Sequence, residues 1–262
     1  MAKVIVIANQ KGGVAKTTTT AAMSSLLCDG GKHSVLAIDL DPQGNLSYSS
    51  GAEVYEYITI YDVLAKRENA EDAIQKLPDF DIIPGNIALA GVDREMNDIG
   101  KEFRLKESLA PIQEAYDYIL IDTPPSLGVL TVNALAAADE VIIPTTAGIY
   151  AATGINQLFN IIASVQQYYN RDIRVAGILI TKHNPKTNVG RNIKELTGKL
   201  AETMQTKLFD TYIRSSVAVE DAQLNQQDIF RYANTSTVAA DYRAFVAEYL
   251  AGDNHTASKG EE

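Results

Sequence analysis

The chain has 262 residues, of which 46% are hydrophobic and 21% charged, and its formal net charge at pH 7 is −10. This composition suits one large domain with a substantial core and argues against a bulk nucleic-acid binder, which is usually basic. A lone cysteine, Cys28, excludes an intrachain disulfide, and without an apolar run of about 18 residues or an N-terminal signal we expect a cytoplasmic protein.

The first motif is an apolar strand followed by a glycine-rich loop. Val4 to Ala8 is a short β-branched run, which predicts a buried strand, and Lys11 to Thr18 follows with the sequence KGGVAKTT. Lys16 to Asp29 then has helical composition without proline. This order predicts a phosphate cradle, because backbone N–H groups of the loop and the helix N-terminus point at an anion. We expect Lys16 to neutralise the β- and γ-phosphates and Thr17 to bind Mg²⁺.

The loop departs from the strict pattern G-x-x-x-x-G-K-[ST], whose glycines fall on Gln10 and Ala15. By that pattern alone, an ordinary turn between a strand and a helix is as good an interpretation as a nucleotide site. A helix is expected to start at Lys16, where φ is negative, so we expect the Cβ of Ala15 to be tolerated.

Two acids follow the second predicted strand, Val35 to Ile38. Asp39 and Asp41 are two residues apart on an extended chain and therefore point the same way, toward the crevice at the carboxyl ends of parallel strands. An isolated D-x-D-P is more often a capped turn. Because Asp39 and Asp41 come one strand–helix unit after the glycine loop, a role in the nucleotide site is favoured over a capped turn.

A third strand, Tyr118 to Asp122, ends in an acid and precedes Thr123-Pro124-Pro125-Ser126. An apolar run ending in Asp is the Walker B layout, in which the acid binds Mg²⁺ directly or through water. Two prolines stiffen a loop that must respond to the γ-phosphate.

The remaining predicted elements alternate between helices and strands. Between the second and third motifs we expect short helices at 57–66 and 70–76, a strand at 80–84 and a helix-rich region at 93–116. Later elements are helices at 129–138, 154–169, 189–207, 216–224 and 236–250 and strands at 141–145, 175–181 and 208–213. This alternation predicts an α/β fold with a doubly wound, mostly parallel sheet flanked by helices, in one domain over 1–250, with a disordered tail over 251–262.

The last helix carries one apolar stripe, at Val238, Tyr242, Phe245, Val246 and Tyr249. Its polar face bears Asp241, Arg243 and Glu248 and has little positive excess. We therefore expect a helix docked on the core rather than a basic helix that binds lipid.

The three motifs, in this order and spacing, resemble the ParA/Soj and MinD family of partition and positioning ATPases with a deviant Walker A loop, over roughly residues 3 to 250. The resemblance implies a P-loop NTPase-like fold, ATP and Mg²⁺ as cofactors, and slow hydrolysis to ADP and phosphate. It implies that Lys11 reaches across an ATP-dependent homodimer to the partner's phosphates. It also implies that Asp41 orients the attacking water and that Asp39 supports the metal shell.

The predicted site residues form three sets. The catalytic set is Lys11, Lys16 and Asp41. The nucleotide-binding set is Lys11, Gly12, Gly13, Val14, Ala15, Lys16, Thr17 and Thr18, and the metal set is Thr17, Asp39 and Asp122. Two departures from the family pattern are Ala15, where the family has Gly, and residues 147–151, where only Tyr150 matches an expected acid and aromatic pair.

One basic stretch stands out in this acidic chain. From Lys182 to Arg214 there are seven basic residues against Glu195, Glu202 and Asp210, a net charge of +4. It is either a solvated helix face or the surface with which ParA-like dimers bind DNA without sequence preference. Arg214 matches the family's basic pair near the last strand, whereas Ala218 stands where many relatives have Arg. The predicted DNA-binding residues are Lys182, Lys186, Arg191, Lys194 and Arg214.

The resemblance thus implies an ATPase for plasmid or chromosome partition, stimulated by a ParB-like DNA-binding partner, not bound to membrane, and nucleoid-associated in its ATP state. The alternative is a MinD-like membrane-associated ATPase. A redox relative such as the nitrogenase iron protein needs cluster cysteines that Cys28 alone does not supply. A bacterial tyrosine kinase needs a terminal tyrosine cluster, and the chain has none after Tyr249.

Overall fold

The computed structural model describes residues 1–146 and 151–257, except for the side chains of 151–152, 188–190 and 253–257. The predicted family match at Tyr150 lies outside the described residues, as does the end of the predicted tail, 258–262.

A seven-stranded sheet forms the centre of the molecule, in the order β3-β4-β2-β5-β1-β6-β7. All described strand pairs are parallel except β3 with β4, which confirms the predicted doubly wound, mostly parallel sheet. The strands are β1 (Lys3–Ile7), β2 (Val35–Asp39), β3 (Gln75–Lys76), β4 (Asp81–Ile83), β5 (Tyr118–Asp122), β6 (Glu140–Thr146) and β7 (Arg174–Thr181).

Helices cover both faces of this sheet. They are α1 (Lys16–Cys28), α2 (Asn45–Ser49), α3 (Ile60–Leu64), α4 (Val92–Glu95), α5 (Arg104–Leu109), α6 (Val129–Ala137), α7 (Ala151–Tyr168), α8 (Asn188–Thr203), α9 (Val217–Leu224), α10 (Ile229–Tyr232) and α11 (Thr237–Ala257). Short 3-10 turns occupy Ala70–Ala73, Ile87–Gly91, Lys101–Phe103 and Gln113–Ala115. Of the described helices, none combines the length and the hydropathy that crossing a membrane requires.

The core has two layers because successive side chains of a strand point to opposite faces. In β1, Val4 and Val6 pack with α6 and α7, whereas Ile5 and Ile7 pack with α1 and α11. The predicted stripe of α11 lies in this second layer, and each of its five side chains is at most 5% exposed. The prediction that the last helix docks on the core is therefore confirmed.

Two predicted elements are wrong. In the predicted helix 70–76, only a 3-10 turn forms, and Gln75 and Lys76 instead pair with β4 as β3. The predicted strand 208–213 is not continuous: Leu208 makes an isolated bridge with Ile178, and Arg214, the residue after the segment, makes another with His183. Between them, the N–H groups of Asp210 and Thr211 donate to the carboxylate of Glu248 on α11, so they are not available to β7.

The helical boundaries also differ at the C-terminal end. Helix α11 continues past Leu250 to Ala257, so residues 251–257 of the predicted tail are helical. Helix α10 was not predicted. It is a single turn capped by Asp228, whose carboxylate accepts a hydrogen bond from the N–H of Phe230.

The strand register brings the functional motifs together. Asp122 at the end of β5 pairs on one side with Ile7 of β1 and on the other with Asp39 of β2. The glycine loop follows β1 directly, and so the three motifs meet at the carboxyl ends of three neighbouring strands, as predicted.

Candidate functional site

The glycine loop is attached to the sheet at both of its ends. The Asn9 amide donates to the carbonyl of Pro144 at 2.7 Å and accepts the N–H of Lys11 at 2.9 Å. At the other end, the Thr181 hydroxyl lies 3.0 Å from the carbonyl oxygen of Val14, whose side chain is fully buried. Val14 therefore presents only its backbone to the crevice.

The loop leaves open space above its glycines. An ideal Cβ built on Gly12 or Gly13 meets no atom within 4 Å, and Gly13 has φ +71°. A positive φ is the conformation that glycine adopts without steric cost. The open space beside both glycines is compatible with a phosphate cradle and differs from a packed turn.

The backbone at Ala15 corrects the sequence-based expectation. Its φ is 65° and its ψ 33°, in the left-handed region, and not negative. Helix α1 begins only at Lys16, so Ala15 is the N-cap, and its carbonyl accepts the N–H of Thr19 while its own dihedrals belong to the loop. A residue with a Cβ pays about 1–2 kcal/mol for this conformation, which explains why glycine suits the position.

A buried lysine and a buried acid lie at the base of the loop. Lys16 is 6% exposed, and its Nζ is 3.4 Å from the carbonyl oxygen of Lys11. Burial lowers the pKa of Lys16, while the charges of Asp122 and Asp41 raise it. A bound polyanion would further stabilise the charged ammonium.

Asp122 fits a magnesium ligand. It is fully buried, its Oδ2 accepts the Thr17 hydroxyl at 2.6 Å, and its Oδ1 has no hydrogen-bond partner among the described residues. Burial, and then the charge of Asp39, raise the pKa of Asp122 well above its usual value. A cation beside Oδ1 would offset both causes.

The composition of the site also fits Mg²⁺. In the described part of the chain, no group of three or more His, Cys, Asp and Glu side chains is placed to hold a metal ion by itself. Mg²⁺ in nucleotide sites usually takes one or two carboxylates together with phosphate oxygens and water. Thr17 and Asp122 are that kind of partial ligand set.

Asp39 is engaged mainly with its own loop. Its Oδ2 accepts the N–H of Ser47 at 2.9 Å and the Ser47 hydroxyl at 2.7 Å, and its Oδ1 accepts the N–H of Asp41 at 3.1 Å. Burial raises the pKa of Asp39 to about 6, against the lowering effect of the Ser47 hydrogen bonds. Its predicted place in the metal shell stays a prediction.

Asp41 lies beside the phosphate cradle. It is 7% exposed, and its Oδ1 accepts the N–H of Gln43 at 2.9 Å. It borders a cleft of about 860 Å³ together with Gly12, Lys16 and Thr17. The far wall of this cleft is formed by the segment that precedes α9, and by α9 itself.

Lys11 is exposed and points away from its own loop. Its Nζ donates to the Thr146 hydroxyl at 3.0 Å, at the last residue of β6. The ammonium of Lys11 thus has a partner outside its loop and within its own subunit, and the role across a homodimer that the resemblance implies stays a prediction.

The predicted DNA-binding residues fall into two groups. Lys182 and Arg214 line the cleft, and Arg214 forms a two-pronged ion pair with Asp241, at 2.9 and 2.6 Å. The second group lies on α8 and the loop before it, and consists of Lys186, Arg191 and Lys194. Lys194 sits over the ring of Tyr212, whereas Lys186 and Arg191 are exposed.

Sequence reasoning gave no role to four polar residues of this site, namely Asn9, Ser47, Thr146 and Thr181. Two of them share a recognisable signal, because Thr146 and Thr181 are the last residues of β6 and β7. The rule that singled out Asp39 and Asp122, a polar residue at the carboxyl end of a parallel strand, applies to them equally.

A strand, an open glycine loop, a buried lysine and a threonine on a buried aspartate define a P-loop type of nucleotide site. Comparison with known proteins agrees. A family described as "AAA domain" matches residues 2–175. The chain is 38% identical over 255 residues to the sporulation initiation inhibitor protein Soj of Bacillus subtilis (strain 168), covering 96% of this chain and 99% of that protein.

Two further proteins are similar to this chain, and both agree with a P-loop type of nucleotide site. The chromosome-partitioning ATPase Soj of Treponema pallidum (strain Nichols) is 35% identical, covering 97% of this chain and 99% of that protein. The crystal structure of cobyrinic acid a,c-diamide synthase from Mycobacterium smegmatis with bound ATP analog and magnesium has a TM-score of 0.83 and 32% identity, covering 94% of this chain and 93% of that one. The chain belongs to the ParA/Soj-type partition ATPases.

Proposed function

We propose that this protein is an Mg²⁺-dependent partition ATPase that dimerises on ATP, binds DNA without sequence preference, and is stimulated by a ParB-like partner. One observation carries the proposal: Lys16 and Asp122 lie buried beneath an open glycine loop. The half-buried Thr17 donates to one oxygen of Asp122, and the other oxygen is unpaired among the described residues. Such buried polar groups are costly unless a ligand satisfies them.

The chain's own residues account for binding and positioning. The loop from Lys11 to Thr18 would hold the phosphates, with Lys16 against the β- and γ-phosphates. Thr17 and Asp122 would hold Mg²⁺, which when bound neutralises phosphate charge. Asp41 would orient the attacking water, so that catalysis consists of positioning and electrostatic stabilisation.

Nucleotide binding is tested by titrating a fluorescent ATP analogue with Mg²⁺ and with EDTA, together with phosphate release at saturating ATP. We expect tight binding only with Mg²⁺ and slow release of phosphate. Binding that is unaffected by EDTA would contradict the roles of Thr17 and Asp122.

The dimer proposal rests on Lys11 and Gly12. Lys11 is exposed and directly precedes Gly12, which lines the cleft. Among the contacts described, its Nζ donates to the Thr146 hydroxyl and its N–H donates to the Asn9 side chain. Gly12 would lie where two backbones meet, and a Cβ there meets nothing within 4 Å in its own subunit.

The Gly12→Val variant should therefore fold and bind nucleotide but stay monomeric by light scattering with ATP. Gly91→Val is a matched control, because a Cβ at Gly91 also meets nothing within 4 Å. An ATP-dependent dimer of unchanged affinity in Gly12→Val would overturn this part of the proposal.

DNA binding is proposed for Lys186, Arg191 and Lys194 rather than for the two cations that line the cleft. A chain of net charge −10 repels phosphate as a whole, so one copy of this surface is not expected to suffice. Two copies brought together by ATP would provide the local positive field, which explains why binding should require the dimer. We further propose that this makes the ATP state nucleoid-associated.

Two alternatives are less well supported. A MinD-like membrane helix needs a free apolar face, whereas the described stripe of α11 is buried. A metabolic role is suggested by the name of the Mycobacterium smegmatis structure, but the relatives from Bacillus subtilis and Treponema pallidum, at higher identity and greater coverage, carry partition or Soj names. A rise in phosphate release on adding DNA with a ParB-like protein would favour partition.

A further inference from the structure

We propose that Ser47 is a positioning residue for hydrolysis, which fixes the turn that carries Asp41 by tying Asp39, helix α2 and the end of β4 together. The inference rests on the proposed function, since it concerns the water that Asp41 would orient.

Three hydrogen bonds converge on Ser47. Its N–H and its hydroxyl both donate to Oδ2 of Asp39, at 2.9 and 2.7 Å. The hydroxyl oxygen also accepts the N–H of Gly85, two residues after β4, at 2.9 Å. Ser47 and Asp39 are both fully buried, so neither finds water as a substitute.

The same carboxylate reaches the proposed catalytic acid. Oδ1 of Asp39 accepts the N–H of Asp41 at 3.1 Å, and Asp41 in turn accepts the N–H of Gln43. The turn closes through Gly44, which has φ +61° and leads into α2. Asp39 thus fixes the turn at its beginning through Asp41 and at its end through Ser47.

Helix α2 depends on contacts with the rest of the molecule to hold its position, because it has only five residues. A helix of that length is not stable by itself, so tertiary hydrogen bonds must set its position. Without the Ser47 hydroxyl, the N–H of Gly85 loses its acceptor, and Asp39 retains one of its two bonds to α2. The carboxylate of Asp41 would then be less well placed, while Lys16 and the glycine loop would be untouched.

The hydrogen bonds of Asp39 with Asp41 and Ser47 act as a clamp on this turn. As a clamp, Asp39 has a role that differs from the place in the metal shell implied by the family resemblance. Both of its oxygens already accept hydrogen bonds from this loop. If Asp39 acts as a clamp, Ser47 and Asp39 variants should share one defect. If it acts on the metal, only the Asp39 variant should change the Mg²⁺ requirement.

The experiment compares Ser47→Ala, Asp39→Asn, the double variant and Ser24→Ala with the wild type. Ser24 is a matched control, because it is a fully buried serine whose hydroxyl has no hydrogen-bond partner among the described residues. The readouts are the stoichiometry and Kd of ATP binding, its Mg²⁺ dependence, single-turnover hydrolysis per bound ATP, and amide hydrogen exchange at Gly85 without nucleotide.

We expect Ser47→Ala to bind ATP with full stoichiometry and unchanged Kd. It should hydrolyse bound ATP at least about tenfold more slowly, because the catalytic group is misplaced, and the amide hydrogen of Gly85 should exchange faster. Asp39→Asn should show the same hydrolytic defect without a change in Mg²⁺ dependence. The double variant should be no slower than the worse single variant, since both break one network. Ser24→Ala should match the wild type.

Hydrolysis by Ser47→Ala at the wild-type rate per bound ATP would overturn the inference. So would a loss of rate that only follows a loss of binding stoichiometry, which is the result of general destabilisation. If Ser47→Ala does not fold, the Asp39→Asn variant tests the inference. If Asp39→Asn needs at least tenfold more Mg²⁺ than the wild type and recovers the wild-type rate at high Mg²⁺, Asp39 acts on the metal and the inference is contradicted. A wild-type protein that does not hydrolyse ATP would instead contradict the proposed function.

Discussion

The two regions that this protein is proposed to use are built in opposite ways. At the nucleotide site, Lys16, Asp39 and Asp122 are buried. Asp122 accepts a hydrogen bond from Thr17 of α1, and Asp39 accepts one from Ser47 of α2. On the outer face of α8 and the loop before it, Lys186 and Arg191 are exposed, and Lys194 contacts mainly the ring of Tyr212 and the carbonyl of Asp210.

This difference in burial determines how much the structure reveals about the function of each region. Burying a charged group costs free energy unless its partners offset the loss of water, so buried charges that meet at one point indicate a ligand. Exposed cations cost almost nothing. A basic face on α8 is therefore compatible with DNA binding and with simple solvation, and only an experiment on α8 separates them.

The largest effect should come from the buried region. Lys16→Ala removes the ammonium between the loop and the two acids, Asp41 and Asp122, and should weaken ATP binding at least about 100-fold, in keeping with loss of a charged contact worth about 3 kcal/mol or more. Isothermal titration with Mg²⁺-ATP measures it. Lys106→Ala, on the exposed face of α5, should bind like the wild type, and retained binding by Lys16→Ala would contradict the assigned site.

A smaller effect is expected on α8. Arg191→Ala with Lys194→Ala should weaken ATP-dependent DNA binding on every duplex and leave ATP binding unchanged. If about 4–6 phosphates are neutralised per dimer, log K should fall with log salt at a slope of about −4 to −5, and each lost contact should flatten it by about 0.9.

Gel shifts over a salt series on two unrelated duplexes measure this slope. The matched control is Lys101→Ala with Lys106→Ala, which removes the same two charges from another face. If both double variants weaken binding equally, only net charge matters and the α8 surface is a solvated face.

Ala15→Gly tests strain within the loop. Relief of the left-handed conformation favours glycine by about 1–2 kcal/mol, and the greater freedom of glycine in the unfolded chain offsets about 0.4–1 kcal/mol of that. The variant should therefore be more stable by about 0.5–1 kcal/mol in urea unfolding. A destabilised variant would show that the loop tolerates the Cβ, as the sequence-based expectation had it.

The smallest effect concerns the contact between Lys11 and Thr146. If this exposed hydrogen bond holds Lys11 in the monomer, Thr146→Val should tighten ATP-dependent dimerisation about two- to fivefold, the equivalent of about 0.5–1 kcal/mol. Thr146→Ser keeps the hydroxyl and should match the wild type. Sedimentation of the two variants with ATP measures the difference, and equal dimer affinities would show that Lys11 is not restrained by Thr146.

Sequence patterns predicted the parts of this molecule that are local along the chain. Tyr118 to Asp122 forms a strand with the predicted ends, and the acids at the strand ends meet because parallel register requires it. The contacts of Ser47 with Gly85 and of Thr181 with Val14 join residues 38 and 167 positions apart, which no local pattern encodes.

The errors have the same physical origin. The segment 208–213 has the composition of a strand, but a distant acid, Glu248, takes two of its N–H groups. Ala15 precedes a helix, yet the loop geometry rather than the helix sets its φ. In both places a long-range contact or a loop constraint overrides the local preference.

The central claim is that the buried site controls when the exposed surface binds DNA. The most direct test is DNA binding by Asp41→Ala, which should bind ATP but not hydrolyse it, measured at low salt with ATP, with ADP and without nucleotide. We predict stable binding to any duplex with ATP and none in the other two states. Equal binding in all three states, or none with ATP, would contradict the claim.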